Sequence, residues 1–199
     1  MNTPNKLTLL RIVMVPFFVG FLLAGQLPHH MLAAFVLFAI ASYTDHLDGK
    51  LARRDHLITT FGKFMDPLAD KILVISALVC FVDLGLANTW LVILIIFREL
   101  LVTSIRLVAA DSGVVVAANN WGKAKTVSQI AAILAVLLLQ YVLELVSLGV
   151  LPPFTVGGAE ASAVFLAIGN VLLAVAALLA VISGAVYLKQ NWKIVAREM

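Results

Sequence analysis

Four aspartates recur at fixed intervals between positions 45 and 70 of an otherwise apolar chain. The spacing is Asp45-x2-Asp48-Gly49-x2-Ala52-Arg53-x8-Gly62-x3-Asp66-x3-Asp70. Residues three or four apart share one face of a helix, so the first two aspartates form one acidic edge and the last two form another. Four carboxylates brought together at a membrane boundary cannot all stay ionised unless cations lie between them. The pattern therefore predicts a metal site.

The predicted metal site offers only carboxylate oxygens. Hard oxygen ligands without His or Cys suit Mg²⁺ or Mn²⁺ better than Zn²⁺. Two such ions can hold a diphosphate and stabilise an in-line displacement at phosphorus. Beside the acids, Gly49 and Ala52 would let a bulky group approach the helix backbone, and Arg53 offers a two-pronged donor for a phosphate. The alternative is a structural turn in which these acids only pair with the neighbouring basic side chains of Arg53, Arg54, Lys63 and Lys71.

The elements that must position these residues are predicted to be membrane-spanning helices. Of the 199 residues, 62% are hydrophobic and 13% are charged, with a mean hydropathy of +1.06, whereas about a quarter of a typical soluble chain is charged. A bilayer crossing needs about 20 apolar residues. Six segments qualify: Leu7–Ala24, Met31–Arg53, Phe61–Leu86, Trp90–Ala110, Trp121–Leu148 and Ala161–Lys189. The predicted fold class is all-α, a polytopic six-transmembrane-helix bundle.

The local sequence makes two further predictions about these helices. A residue before proline avoids the helical region, so the third helix is expected to start or kink at Asp66, which precedes Pro67. The second and third helices are expected to be antiparallel neighbours across a short turn. The first apolar segment also has features of a signal peptide, but the five spans after it favour an uncleaved first span.

The basic residues predict the orientation. The chain contains 14 Lys and Arg, and none of them lies in residues 25–30, 83–89 or 147–160. Because cytoplasmic segments carry an excess of Lys and Arg, both termini and the aspartate cluster are expected to face the cytoplasm. The same basic content suits an anionic membrane face and is not an indication of nucleic-acid binding.

The pattern from Asp45 to Asp70 fills every fixed position of the motif of the CDP-alcohol phosphatidyltransferases, and the chain resembles this family of integral membrane enzymes. The resemblance implies a single membrane domain over residues 1–199 and a reaction in which an acceptor hydroxyl attacks a CDP-linked lipid and CMP leaves. It further implies the roles of the motif residues. The implied metal ligands are Asp45, Asp48, Asp66 and Asp70, and Asp70 is also the implied base. The residues implied to contact the cytidine diphosphate are Asp48, Gly49, Ala52 and Arg53.

Three other segments narrow the resemblance. They are Pro4-Asn5-Lys6-Leu7-Thr8-x2-Arg11, Arg98-Glu99 and Gly122-Lys123-Ala124-Lys125-Thr126. Together they resemble bacterial family members that use glycerol 3-phosphate as the acceptor. The implied partners are CDP-diacylglycerol, glycerol 3-phosphate, membrane lipid and a second copy of the chain in a homodimer. The implied location is the plasma membrane of a bacterium, with the active site facing the cytoplasm.

A dianionic acceptor needs cations of its own, and the candidates are Arg98, Arg106, Lys123 and Lys125. Each has an alternative: Arg98 could pair with Glu99 or Glu144, and the lysines could be ordinary membrane anchors. On the first helix, Thr8 and Arg11 lie one turn apart and are candidates to reach the CDP-lipid diphosphate, against the alternative that Arg11 extends to the membrane interface.

Two alternative functions stay open at this point. A related family member would use inositol phosphate, serine or phosphatidylglycerol as its acceptor, because the aspartates do not define the acceptor pocket. A cation transporter would also carry acidic intramembrane residues. Such proteins often show repeated halves and broken helices near the midplane, whereas in this chain the acids lie in one segment near the predicted cytoplasmic boundary and no internal repeat is visible.

Overall fold

A computed structural model describes residues 3–55, 60–111 and 120–195, with side chains described for residues 8–44, 69, 71–107, 109 and 120–192. The described chain forms six helices and one short hairpin. They are α1 (Thr3–Leu23), α2 (His30–Asp55), α3 (Thr60–Asp83), α4 (Thr89–Asp111), α5 (Asn120–Ser147), β1 (Thr155–Val156), β2 (Ala159–Glu160) and α6 (Ala161–Val195). The prediction of an all-helical architecture is confirmed, and every predicted segment overlaps one helix. The largest differences in bounds are at the start of α1 and at the end of α6.

Two local features differ from the predictions. Helix α3 begins at Thr60 and continues through the Asp66-Pro67 step, so of the two alternatives at Asp66 a helix start is wrong, and a kink there stays a prediction. A two-stranded antiparallel hairpin pairs β1 with β2 before α6. Its turn residues, Gly157 and Gly158, have φ angles of 59° and 83°, as a two-residue turn of this kind requires. Strands of two residues are too short to leave a periodic signal in the sequence.

The described parts of the six helices pack in a closed order. Neighbours in contact follow the sequence α1, α2, α5, α6, α4, α3 and back to α1. Helix α1 therefore packs on both of the helices that carry the aspartates. Among the described residues, α2 and α3 make less contact with each other than either makes with α1. Helix α6 packs on both α4 and α5, the two helices that carry Arg98, Arg106, Lys123 and Lys125.

The described connections at one end of the bundle are tied together by polar contacts. The Glu144 carboxylate accepts hydrogen bonds from the backbone N–H groups of His30 (2.9 Å) and Met31 (3.1 Å), which satisfies the first turn of α2. The Asn170 side chain accepts one from the Asn88 N–H at 2.8 Å. The turns at residues 24–29, 84–88 and 148–160 thus lie at the same end, as expected for helices that run alternately up and down.

The surface of this bundle is that of a membrane protein. Small and aliphatic side chains make up most of the interior, together with a few aromatic ones such as Phe18 and Phe38, whose ring centroids lie 5.6 Å apart. Large apolar side chains are also exposed on every helix, including Trp90, Val127 and Val171, and a soluble protein rarely exposes so continuous an apolar surface. Among the described residues, α5 and α6 contain stretches long and apolar enough to cross a bilayer, and only 28% of each stretch is buried.

Candidate functional site

A basic pocket opens between α4 and α5 and reaches α3. Its volume is about 470 Å³, and the residues that line it are Lys71, Arg98, Glu99, Val102, Thr103, Arg106, Gly122, Lys123, Thr126 and Val127. Four of these side chains are cationic and one is a carboxylate. A concave site with this excess of positive charge favours anions over cations, because opposite charges attract more strongly where water is partly excluded. Three of the four predicted acceptor-binding cations line it, and Lys71 joins them.

Arg98 is fixed in this pocket by two polar partners. Its Nη1 donates to the Glu99 carboxylate at 3.2 Å, and its Nη2 donates to the Ser183 hydroxyl at 2.7 Å. The pairing with Glu99 is one of the two alternatives that the sequence left open, whereas Glu144 instead contacts the start of α2. The buried Nε of Arg98 has no hydrogen-bond partner among the described residues, and a buried donor of this kind is costly unless a ligand or water satisfies it.

Lys125 is held below the pocket by the same carboxylate. Its Nζ donates to Glu99 Oε1, and the lysine side chain is almost fully buried. A second cavity of about 30 Å³ adjoins this pair and is lined by Lys71, Lys125 and Gln129 among others. Lys125 therefore faces the smaller cavity, and Glu99 connects it to Arg98. Because the buried Lys125 and the partly buried Arg98 share one carboxylate, a net positive charge remains at the base of the pocket.

Arg106 and Lys123 are the exposed cations of the pocket. Among the residues with described side chains, no carboxylate forms an ion pair with either of them. The guanidinium of Arg106 lies over the Tyr187 ring, 5.5 Å from its centroid, a geometry that orients the cation without neutralising it. These two side chains are thus the pocket cations most accessible to an anion that enters from solvent.

The residues of the aspartate motif fall on α2 and α3, as predicted. Asp45, Asp48, Gly49, Ala52 and Arg53 belong to α2, and Asp66 and Asp70 belong to α3. Their side chains lie outside the described residues, so the metal site stays a prediction. The donor chemistry of four carboxylates fits Mg²⁺ or Mn²⁺. Where side chains are described, no group of three or more His, Cys, Asp or Glu could hold a metal.

The basic pocket adjoins the acidic segment of α3. Lys71, which lines the pocket, directly follows Asp70, and Ala69 before it is fully buried. A ligand bound by the pocket cations would therefore lie beside the helix turn that carries the last aspartate of the motif. The sequence alone suggested Lys71 only as a counter-ion for the aspartates.

Thr8 and Arg11 lie on the inward side of α1. Both are buried, with 2% and 3% of their surface exposed, so Arg11 does not extend to the membrane interface. Because α1 packs on both α2 and α3, these two polar residues face the helices that carry the motif. Their predicted contact with the CDP-lipid stays a prediction.

Helix α6 supplies contacts to the pocket that the sequence did not indicate. Ser183 bonds Arg98, and Tyr187 lies beneath Arg106. These two residues are four apart and share one face of α6. Only their spacing within the long apolar stretch of α6 could have singled them out.

The fold and the pocket together define a helical membrane protein with a pocket of net positive charge. The chain belongs to the CDP-alcohol phosphatidyltransferase family, whose sequence profile matches residues 1–188. It is similar to the CDP-diacylglycerol–glycerol-3-phosphate 3-phosphatidyltransferase of Bacillus subtilis, with 45% identity covering 96% of each chain. Proteins of the same name from Rickettsia bellii (33% identity, 94% of each chain) and Pseudomonas fluorescens (39% identity, 69% of this chain and 72% of the other) are also similar.

Proposed function

We propose that this protein transfers the phosphatidyl group of CDP-diacylglycerol to glycerol 3-phosphate, giving phosphatidylglycerophosphate and CMP. Full-length similarity to proteins named for this reaction supports the proposal. The pocket, with four cationic side chains against one carboxylate, is the observation that favours a phosphorylated acceptor, and the names of the similar proteins favour glycerol 3-phosphate over inositol phosphate. A phosphorylated acceptor is a dianion near neutral pH and gains from such a site, whereas zwitterionic serine gains little. A transported cation would be repelled.

The acceptor phosphate would be bound by the cations of the pocket. Arg106 and Lys123 are the exposed cations, and the Nε of Arg98 is a buried donor without a partner among the described residues. Lys71 brings a fourth cation next to the aspartate motif. Because Lys71 directly follows Asp70, an acceptor bound here would lie near the α3 turn that carries Asp70.

The chemical step joins the acceptor hydroxyl oxygen to the phosphatidyl phosphorus and breaks the bond from that phosphorus to the oxygen of CMP. Asp70 would take the hydroxyl proton as the oxygen attacks. The four aspartates would hold one or two divalent ions, Mg²⁺ or Mn²⁺, which when bound offset the charge of the diphosphate. Gly49, Ala52 and Arg53, with Thr8 and Arg11 on α1, would orient the cytidine diphosphate so that the reacting atoms align.

An acceptor screen tests this function. Purified protein in mixed micelles with CDP-diacylglycerol and Mg²⁺ should release CMP with glycerol 3-phosphate and much less with serine, inositol phosphate or phosphatidylglycerol. Preference for another acceptor would overturn the proposed substrate but not the family. No CMP release with any acceptor would overturn the proposed reaction.

We further propose that the six helices are six membrane spans, with the pocket on the cytoplasmic side and the chain forming a homodimer. The orientation is supported by the connections at residues 24–29, 84–88 and 148–160, which contain no Lys or Arg. Cysteine labelling tests it, because the native Cys80 is buried. An impermeant maleimide should label Thr155→Cys in intact cells and Asn120→Cys only after permeabilisation. The reverse pattern would contradict the orientation, and cross-linking would test the dimer.

A further inference from the structure

One face of α6 contacts both arginines of the basic pocket. The Arg98 Nη2 donates to the Ser183 hydroxyl at 2.7 Å, and Ser183 is fully buried. The next residue, Gly184, is also buried, and a Cβ atom at that position would lie 3.1 Å from Arg98 Cγ. The stem of Arg98 thus passes over a position where α6 has no side chain. A larger residue there would push the arginine away.

The second arginine rests one helical turn further along the same face. Tyr187 is 2% exposed, and the Arg106 guanidinium lies 5.5 Å from its ring centroid. The buried hydroxyl of Tyr187 has no hydrogen-bond partner among the described residues, so its ring accounts for the contact with Arg106. A cation over an aromatic face keeps its charge while losing rotational freedom.

We propose that Ser183, Gly184 and Tyr187 are positioning residues that set Arg98 and Arg106 for the phosphate of the acceptor. This inference rests on the proposed function. A free arginine side chain has many rotamers and must lose this freedom when it binds a ligand. Holding the guanidinium in advance removes most of that cost and raises affinity without adding a contact to the ligand. Helix α6 thereby contributes to acceptor binding without touching the acceptor.

A pair of glycine variants provides a matched test. Gly184→Ala adds a methyl group 3.1 Å from Arg98 Cγ, and Gly169→Ala adds one on the same helix 3.1 Å from Val136 Cγ2. Both variants require the same small adjustment of α6, but only the first disturbs an arginine of the pocket. In steady-state CMP release, Gly184→Ala should raise the KM for glycerol 3-phosphate about two- to tenfold, as expected for one weakened hydrogen-bonded contact. Its KM for CDP-diacylglycerol, and both constants of Gly169→Ala, should stay near wild type.

Two further variants probe the polar and aromatic contacts separately. Ser183→Ala removes the hydroxyl that accepts from Arg98 and should raise the same KM about two- to tenfold. Its control is Ser104→Ala, because the Ser104 hydroxyl bonds the Leu100 carbonyl of its own helix. Tyr187→Leu removes the ring beneath Arg106 and should raise the KM about two- to fivefold. Tyr187→Phe keeps the ring and should restore the wild-type value.

The outcomes separate this inference from the proposed function. Arg98→Gln and Arg106→Gln serve as references that remove the cations themselves. If these two raise the KM for glycerol 3-phosphate and the α6 variants do not, the positioning role is wrong and the acceptor pocket stands. If the arginine variants also leave that KM unchanged, the pocket assignment falls with it. An equal rise for both substrates in the α6 variants would mean that these residues only stabilise the bundle.

Discussion

Arg106 and Lys125 are both cations near the pocket, but the structure predicts that removing Arg106 weakens acceptor binding and that removing Lys125 lowers stability. Arg106 is exposed, and Lys125 is buried against Glu99. A charge-assisted hydrogen bond contributes about 1.5–3 kcal/mol, and 1.4 kcal/mol corresponds to about tenfold in affinity. Arg106→Gln should therefore raise the KM for glycerol 3-phosphate about ten- to hundredfold and leave thermal stability unchanged.

The buried lysine should act mainly on stability. Removing one partner of a buried ion pair costs about 3–5 kcal/mol. In a chain of this length, 1 kcal/mol shifts Tm by about 2–4 °C, so Lys125→Gln should lower Tm by about 6–20 °C. CMP release with each substrate varied in turn, together with thermal melting in detergent, measures both effects. Lys189→Gln, an exposed cation on α6, is the control for charge alone.

Two results would refute this reasoning. An unchanged KM for glycerol 3-phosphate in Arg106→Gln would show that the exposed cation does not meet the acceptor. A Tm loss in Arg106→Gln as large as that in Lys125→Gln would show that the two cations have the same structural role. Equal changes in the KM values of both substrates would assign Arg106 to the donor or to the bundle.

Three other predictions follow from the same site. Glu99→Gln should lower Tm by about 6–20 °C, since it removes the buried carboxylate that Arg98 and Lys125 share, whereas Glu144→Gln, which weakens the contacts at the start of α2, should cost only about 1–8 °C; equal losses in melting curves would contradict this. Chelation should abolish CMP release and Mg²⁺ or Mn²⁺ should restore it, so full turnover in a metal-free preparation would rule out the metal site. Asp70→Asn should lower turnover about 10²- to 10⁴-fold with little change in the KM for CDP-diacylglycerol, and near wild-type kcat at saturating metal would disprove the role of base.

The sequence predicted the helices well because each is an apolar segment of sufficient length bounded by polar or glycine-containing turns. Their mutual arrangement could not be read in the same way. Helices that are apolar on all sides carry no periodic signal for which face meets which neighbour. The position of α1 against both α2 and α3, and of α6 against both α4 and α5, depends on how side chains interlock along the whole bundle.

The residues of the candidate site, like the helices, could be predicted from the sequence only in part. Arg98, Arg106 and Lys123 could be predicted because a charged residue in an apolar helix is expensive unless it has a function. The contacts that hold two of them could not. Ser183 and Tyr187 are ordinary residues within an apolar helix, and Gly184 matters only because Arg98 Cγ passes over it. Such contacts join residues about 80 positions apart, where the sequence carries no local signal.

The acidic motif and the basic pocket carry opposite charges, and this difference has a chemical consequence for the proposed reaction. The aspartates would act on the diphosphate of the donor through divalent ions, whereas the pocket would meet the acceptor phosphate with its own cations. The motif can therefore stay the same while the acceptor changes, provided that the α4–α5 pocket and the supporting face of α6 change with it. Acceptor choice should thus depend on the surroundings of Arg98 and Arg106 more than on any residue of the aspartate motif. Substitutions in the pocket should shift acceptor preference, and substitutions in the motif should lower turnover with every acceptor alike.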